Sequence, residues 1–317
     1  MMRIAAAFLL AAALAWPGAA RAQTDNPGGP MNQHLGDMDY GVCRGVDPVC
    51  YHDWGVLPKT HLKVLLFTHT GGPRHITMGP LLGPGLNPPL QPANKIHLGM
   101  LALAARNGFE LDYTEDLGEL NNLMAYNAVI FYNTARQALD DNGQTQLKQY
   151  IRAGGGFMAI HNAFGGMYNW PYYEGLLGNA NFYNHRQLRD GTVVLQDTKD
   201  ASTRNLPATF RIRDEFYNLI PFPTKVRFLA TVDEASWDPN HDNGPGAPLE
   251  GGDPGHGTFH PVAWCQYYDG GRAFMTTLGH DGNLFDTSAG APPGAKEFQT
   301  FIAGAIKSLI GLEPFCR

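Results

Sequence analysis

Charge is scarce in this 317-residue chain, and its scarcity argues against binding to a polyanion. Lys, Arg, Asp and Glu together make up 16% of the residues, against about 25% in ordinary globular domains. The balance is acidic, a formal −6 from 23 basic and 29 acidic side chains. No stretch reaches the Lys/Arg density that neutralising phosphates requires, so nucleic acid is not expected as a partner. Long apolar runs are missing as well: past the first few dozen residues none approaches the roughly 18 uninterrupted apolar residues of a membrane helix.

The first 22 residues read as an export signal. Arg3 gives a short basic n-region, residues 4–16 an apolar stretch of signal-peptide length, and Ala20-Arg21-Ala22 the small-x-small cleavage pattern, leaving Gln23 first. Taking Arg3 and Arg21 from the 23 basic residues leaves 21 against 29 acidic ones and moves the formal charge from −6 to −8. A secreted or periplasmic protein is expected, with no membrane insertion after cleavage. Cysteine is sparse too: only Cys43, Cys50, Cys265 and Cys316 occur. In an oxidising compartment Cys43 and Cys50 are expected to close a local disulfide, because CRGVDPVC carries a Gly and a Pro that let it turn back. Cys265, inside the apolar run HPVAWCQYY, reads as a buried small hydrophobe. Four cysteines allow three pairings, and spacing does not choose among them.

What the chain does have is 38 Gly, 23 Pro and a series of short apolar segments. Residues 23–60 lack periodicity and read as an extended N-terminal segment held by the Cys43/Cys50 disulfide; one folded domain is expected over 61–317. KVLLFTHT (63–70) is a continuous apolar run of the kind buried on both faces of a parallel sheet. KIHLGMLALAARNG (95–108) has helical spacing and ends on a capping Gly. FELDYTED (109–116) and NAVIFYNT (127–134) read as strands, DDNGQTQLKQYIRAG (140–154) as a helix, and GFMAIHN (156–162) as a fourth strand. That alternation demands right-handed crossovers and an α/β core. GTVVLQD (191–197), KVRFLATVDE (225–234), HPVAWCQYYD (260–269) and GRAFMTTLGH (271–280) are further strands without clear helices between them. The last two form a hairpin around Asp269-Gly270-Gly271, and residues 293–312 form a closing helix. DPNHDNG (238–244) spaces oxygens like the start of a calcium loop, but Leu249 stands where the twelfth-position Glu belongs, so it reads as a polar loop.

In open α/β sheets, ligands collect beyond the carboxyl ends of the strands. Three histidine positions stand there: His69, with Arg74 and His75 behind it, closes the first strand, His161 the fourth and His280 the last. If Tyr268 pairs with Arg272 across a three-residue loop, His260 falls opposite His280, and a two-residue loop moves that by one position. Opposed Cβ atoms lie about 4.5–5.5 Å apart, near enough for two imidazoles to share a metal ion or a substrate hydroxyl. GGGFMAIHNAFGG (154–166) carries His161 at the tip of a sharp turn with Ala159 and Ala163 on either side, the arrangement by which nucleophile elbows expose a catalytic group.

The chain resembles the ThuA-like, or trehalose-utilisation, family, which is similar in fold to class I glutamine amidotransferases. The matching stretches are KVLLFTHT with Arg74-His75, GFELDYTED, YNAVIFYNT, YIRAGGGFMAIHNA, YNWPYYEGLLG, NFYNHRQ, RDEFYN and HPVAWCQYYDGGRAFMTTLGHDGNLF, together spanning about 62–312. The resemblance implies a flavodoxin-like, class I glutamine amidotransferase-like parallel sheet core with helices on both faces and an additional antiparallel hairpin. Amidotransferases of that class place a cysteine at the elbow tip and a His-x-Glu pair after a later strand. Here the tip is His161 and the later strand ends in His280-Asp281-Gly282, so no thioester forms and amidotransferase activity is not expected. Two departures from the family pattern stand out: the loop 79–92 is longer and richer in proline, and Arg186 follows His185 where a proline is usual.

Carried over position by position, the resemblance implicates His75, His161, His185, Glu215, His260 and His280 in the pocket, with Asp214, Tyr217 and Trp264 nearby. The implied substrate is a small carbohydrate, a disaccharide or its 3-keto form, cleaved or isomerised by a hydrolase, lyase or isomerase. A ketone at C3 acidifies the C2 proton; a base of near-neutral pKa removes it while a cation holds the enediolate and the C1 glycosidic oxygen leaves. The expected assignment is His161, His280 and Glu215 as catalytic, and His75, His185, Tyr217, His260 and Trp264 as substrate-binding. His75, His161 and His280 are the expected ligands of a divalent metal, zinc above all, with no nucleotide cofactor. Glu215 reads alternatively as a cap or surface acid in RDEFYN, and Tyr217, Trp170 and Trp264 as core aromatics rather than sugar-stacking platforms. A non-catalytic sugar-binding or accessory protein is the alternative function, and a metal-dependent hydrolase of another substrate a third. The sequence sets no oligomeric state.

Overall fold

The computed structural model describes residues 38–39, 41–237 and 255–317. The expected signal peptide and the polar loop 238–244 lie outside the described residues. In chain order the elements are β1 (Met38–Asp39), β2 (Val42–Gly45), β3 (Lys63–Phe67), α1 (Lys95–Asn107), β4 (Glu110–Thr114), β5 (Ala128–Tyr132), α2 (Asp141–Arg152) and β6 (Gly156–Ile160). There follow α3 (Pro171–Leu176), β7 (Phe182–His185), β8 (Arg189–Leu195), β9 (Thr209–Asp214), β10 (Tyr217–Leu219), β11 (Arg227–Asp233), β12 (His260–Tyr268), β13 (Gly271–Thr276) and α4 (Ala295–Leu309).

The main sheet runs β4-β3-β5-β6-β13-β12-β11-β8-β9, with β2 added beside β12. From β4 to β13 neighbouring strands are parallel; from β13 to β9 they are antiparallel. The order from β4 to β13 is the flavodoxin-like one, so the fold is a mixed sheet with a mostly parallel core. Alternation along each strand builds the two layers. Val64 and Leu66 of β3, Ile130 and Tyr132 of β5, and Met158 and Ile160 of β6 join α1 and α4 in one core. Leu65 and Phe67, Val129 and Phe131, and Phe157 and Ala159 join α2 and α3 in the other. Strands buried on both faces need no polar positions, which is why their sequences read as unbroken apolar runs. Each fully buried Phe or Leu contributes roughly 1.5–3 kcal/mol. Among the described residues no helix is long and apolar enough to cross a membrane.

Three expectations are corrected. The hairpin β12/β13 turns through two residues, Asp269 (φ 46°) and Gly270 (φ 97°), and pairs Tyr267 with Arg272 and Tyr268 with Gly271. Two positive φ values in a row suit the twist of a tight hairpin. The ladder ends at Ala263 and Thr276, so His260 is not opposite His280; it pairs with Val232 of β11 instead. Cys265 is not a lone hydrophobe: it forms a disulfide with Cys316 that fastens the chain end to β12, alongside the expected Cys43–Cys50 bridge. Finally, β7, β9 and β10 were not anticipated. β7 and β10 form a separate two-stranded ribbon in which Tyr217 pairs with His185.

Candidate active site

The carboxyl ends of β3, β5, β6 and β13 meet on one side of the sheet, and the loops leaving them converge there. β6 ends at Ile160, and His161 follows with φ 52° as the first residue of a 3-10 turn over His161–Gly165. Both flanking alanines, Ala159 and Ala163, are fully buried. An elbow conformation of this kind is strained for any residue with a Cβ and persists only when its surroundings over-determine it. Asn133 (φ 53°), Arg136 (φ 58°) and Met167 (φ 53°) on the adjoining loops share the left-handed conformation.

His75, His161, Glu215 and His280 each present one ligand atom, all within 4.8 Å of one another. Glu215 Oε2 lies 3.0 Å from His280 Nδ1 and 3.5 Å from His161 Nε2, and those two imidazole nitrogens are 3.3 Å apart. Backbone and hydroxyl partners orient the rings. His161 Nδ1 lies 2.8 Å from the Thr277 carbonyl, which only accepts, so Nδ1 carries the proton and Nε2 faces the cluster. Thr77 gives its single hydroxyl proton to the His280 carbonyl at 2.6 Å. His75 Nδ1 lies 2.7 Å from the same hydroxyl and caps the short turn by accepting the Thr77 N–H, which fixes the ring. Asp214, fully buried at the end of β9, accepts the backbone N–H groups of Glu215 (2.9 Å), Gly279 (2.7 Å) and His280 (3.1 Å) and so fixes the two loops against each other.

The electrostatics follow from burial among these partners. Burial, reinforced by His161 and His280, pushes the His75 imidazole down to about 3, so it stays neutral. Burial works against ionised Glu215, but the His161 and His280 imidazoles beside it prevail and hold the carboxyl well below the usual range. For His280 burial again opposes the charge, and Glu215 at hydrogen-bond distance outweighs it, raising the pKa. Burial raises Asp214, with His161 and the Gly279 N–H pulling the other way. A tetrahedral zinc with bonds of about 2.0–2.1 Å separates its donors by roughly 3.3–3.4 Å. The 3.0–3.5 Å spacings among Glu215, His161 and His280 fit that edge. The Nδ1–H of His161, bonded to the Thr277 carbonyl, is the outer contact that a metal-bound histidine makes.

The remaining candidates divide. His185 Nε2 lies 3.6 Å from Glu215 Oε2, at the rim of the cluster. Tyr217 is buried, donates its hydroxyl to His161 Nε2 at 2.8 Å and stacks on His185, so it braces the rings. Two of the expected substrate contacts are not in the cluster. Trp264 is a core residue that packs on Phe164 and donates to the Leu177 carbonyl. His260 is buried behind Tyr217, with Nε2 3.0 Å from the Tyr217 carbonyl and Nδ1 2.8 Å from Glu234. His69 bonds the Glu115 carbonyl, and Trp170 stacks on Tyr172 and Tyr173. Thr77, Asn133, Thr277 and Glu234 were not singled out from sequence. The rule about strand ends would have found Asn133, Glu234 and Thr277, which stand one residue past β5, β11 and β13 respectively; Thr77 lies in the loop after β3, where no local pattern reveals it.

The family model described as ThuA, trehalose utilisation, matches residues 63–307. A ThuA-like protein from Bacteroides uniformis superposes with a TM-score of 0.56 at 19% identity, covering 80% of this chain and 93% of its own. A second, from Parabacteroides merdae, gives a TM-score of 0.54 at 15% identity over 79% of this chain and 90% of its own. A glutamine amidotransferase from Thermotoga maritima aligns with a TM-score of 0.43 at 11% identity, over 79% and 99%. No curated protein matches the chain significantly.

Proposed function

The chain belongs to the ThuA family, and from that premise we propose that it is an exported enzyme that cleaves or isomerises a glycoside or 3-keto-sugar at the His75–His161–Glu215–His280 cluster. The observation that carries this reading is the convergence of three imidazoles and one carboxylate, each oriented by its own hydrogen bond, at the carboxyl ends of the strands. Four such donors suit a divalent cation of the zinc class, which when bound would supply Lewis-acid polarisation of a sugar carbonyl. Holding a cation requires His280 to give up its Nδ1 proton to solvent, so occupancy falls with acid. His185 is the group proposed to take the C2 proton. Its Nε2 stands at the rim of the cluster, 3.6 Å from Glu215 Oε2. Asp214 holds the His280 loop still through that transfer, and Tyr217, stacked on His185, steadies that ring.

Metal analysis of the purified protein, followed by turnover of trehalose and its 3-keto form with and without chelator, tests the reading. Stoichiometric metal, lost together with turnover in His161→Ala, is the expected result. Full turnover in both His161→Ala and His280→Ala would remove the site from consideration. Tight sugar binding without turnover would make the protein a binding module.

A further inference from the structure

We infer that the small cavity beside His161 is an oxyanion-recognising subsite in which Arg136 binds a carboxylate or phosphate group carried by the sugar. The inference rests on the reading above, since it places this group of the substrate next to the reacting carbons. A cavity of about 170 Å³ opens against the loops that follow β5 and β6, lined among others by Pro73, Arg136, Asn162, Gly165, Tyr168 and Phe182. Two of its lining residues, Asn162 and Phe182, connect it to the cluster through Asn133, Tyr217 and His185. Asn162 follows His161, and its N–H donates to Asn133 Oδ1, while Asn133 Nδ2 lies 3.3 Å from His75 Nδ1. The Phe182 ring contacts Tyr217 at 4.6 Å and His185 at 5.6 Å between centroids.

Arg136 is the one charged residue lining this cavity. Several other arginines are ion-paired, among them Arg74 with Glu115, Arg152 with Asp269, Arg204 with Glu313 and Arg227 with Asp197, while Arg106 and Arg272 bond an amide and backbone carbonyls. Among the described residues no carboxylate forms an ion pair with Arg136. Burial raises the Tyr168 phenol, and Arg136 beside it works in the opposite direction.

The position is also built rather than incidental. Arg136 holds φ 58° because its N–H donates to the Gly165 carbonyl at 3.0 Å and its own carbonyl accepts from Met167 at 2.8 Å. A Cβ on Gly72 would lie 2.5 Å from Arg136 Cγ, and one on Gly165 would lie 2.4 Å from Asn162 Oδ1. Both glycines therefore leave room for the two polar side chains. The planar guanidinium fork matches a carboxylate or phosphate bidentately. The volume falls below the roughly 300–1,000 Å³ of drug-sized pockets, which suits one substituent or one sugar unit rather than a long glycan.

Calorimetric titration of the purified protein with glucose, glucuronate and glucose 6-phosphate tests this, with Arg136→Gln and Arg136→Lys beside the wild type and circular dichroism confirming that each is folded. Glucuronate or glucose 6-phosphate is expected to bind about ten- to a hundredfold more tightly than glucose. Arg136→Gln should abolish that preference without changing glucose affinity, and Arg136→Lys should keep part of it. Whichever anion wins separates a uronate from a sugar phosphate. Equal affinity for glucose and both anions, no measurable binding of either anion, or an unchanged preference in folded Arg136→Gln overturns the subsite. Binding is read without turnover, so the two ideas fail separately. A protein that turns nothing over but loses anion preference in Arg136→Gln keeps the subsite and loses the enzyme. One that turns over neutral 3-keto-trehalose at the same rate with Arg136→Gln, and shows no anion preference, does the reverse.

Discussion

Replacing Glu215 with Gln isolates the charge that organises the cluster while keeping its shape. Glu215 Oε2 faces three imidazoles, at 3.0 Å from His280, 3.5 Å from His161 and 3.6 Å from His185. Losing even a partner that only orients a metal ligand costs about ten- to a hundredfold in affinity, so Glu215→Gln, which removes a charged donor, is expected to weaken zinc binding by at least that much. Competition against a chromogenic chelator reads this directly. In metal-free protein the same substitution has a pH signature. Glu215 titrates below its ordinary 4.5 in the folded state, so its contribution is present above 4.5 and lost as pH falls. His280 titrates above its ordinary 6.5, so its contribution is complete below 6.5 and lost as pH rises through the folded value. The pair therefore stabilises most between those two values. Urea unfolding should show Glu215→Gln losing about 1.5–3 kcal/mol near pH 5.5 and less near pH 8.5. Unchanged zinc affinity together with a pH-independent stability difference would refute the role given to this carboxylate.

Two further outcomes concern parts away from the cluster. His97, fully buried on α1, has its pKa pushed down to about 3 by burial and then by Arg74, so the unfolded chain takes up a proton below 6.5 that the folded one refuses. Between pH 7.5 and 5.0 this costs about 2 kcal/mol, and urea unfolding of His97→Leu should show a pH-dependent loss smaller than wild type by that amount. Cys316→Ser opens a bridge between residues 51 apart in sequence, which loop-closure entropy values at about 4 kcal/mol. Denaturant unfolding under oxidising conditions should show most of that loss, and the difference should vanish when both proteins are fully reduced, since Cys43–Cys50 then opens in each.

The parallel half of the fold was legible because strands buried on both faces leave an unbroken apolar signature, as in KVLLF and AVIFY. β9 was missed although TFRIRD alternates, because that alternation is short and carries three charged residues in six. β7 and β10 are four and three residues long, and they pair only with each other. In the site, the strand-end argument led to His75, His161 and His280 correctly as neighbours. It misled for His260, because register was extrapolated past Ala263 and Thr276, where the ladder stops. The Cys265–Cys316 bridge joins a central strand to the penultimate residue, and no local pattern announces such a closure.

The left-handed backbones at Asn133, Arg136, His161 and Met167 bear on any attempt to improve this protein. Each such residue with a side chain costs of order 1–3 kcal/mol, and glycine would relieve it. A heat-selection experiment on random variants should therefore enrich glycine at these four positions among others. The survivors would be hardier and duller: the tolerance they gain comes from erasing the imidazole, the guanidinium and the amide that the loops were bent to display.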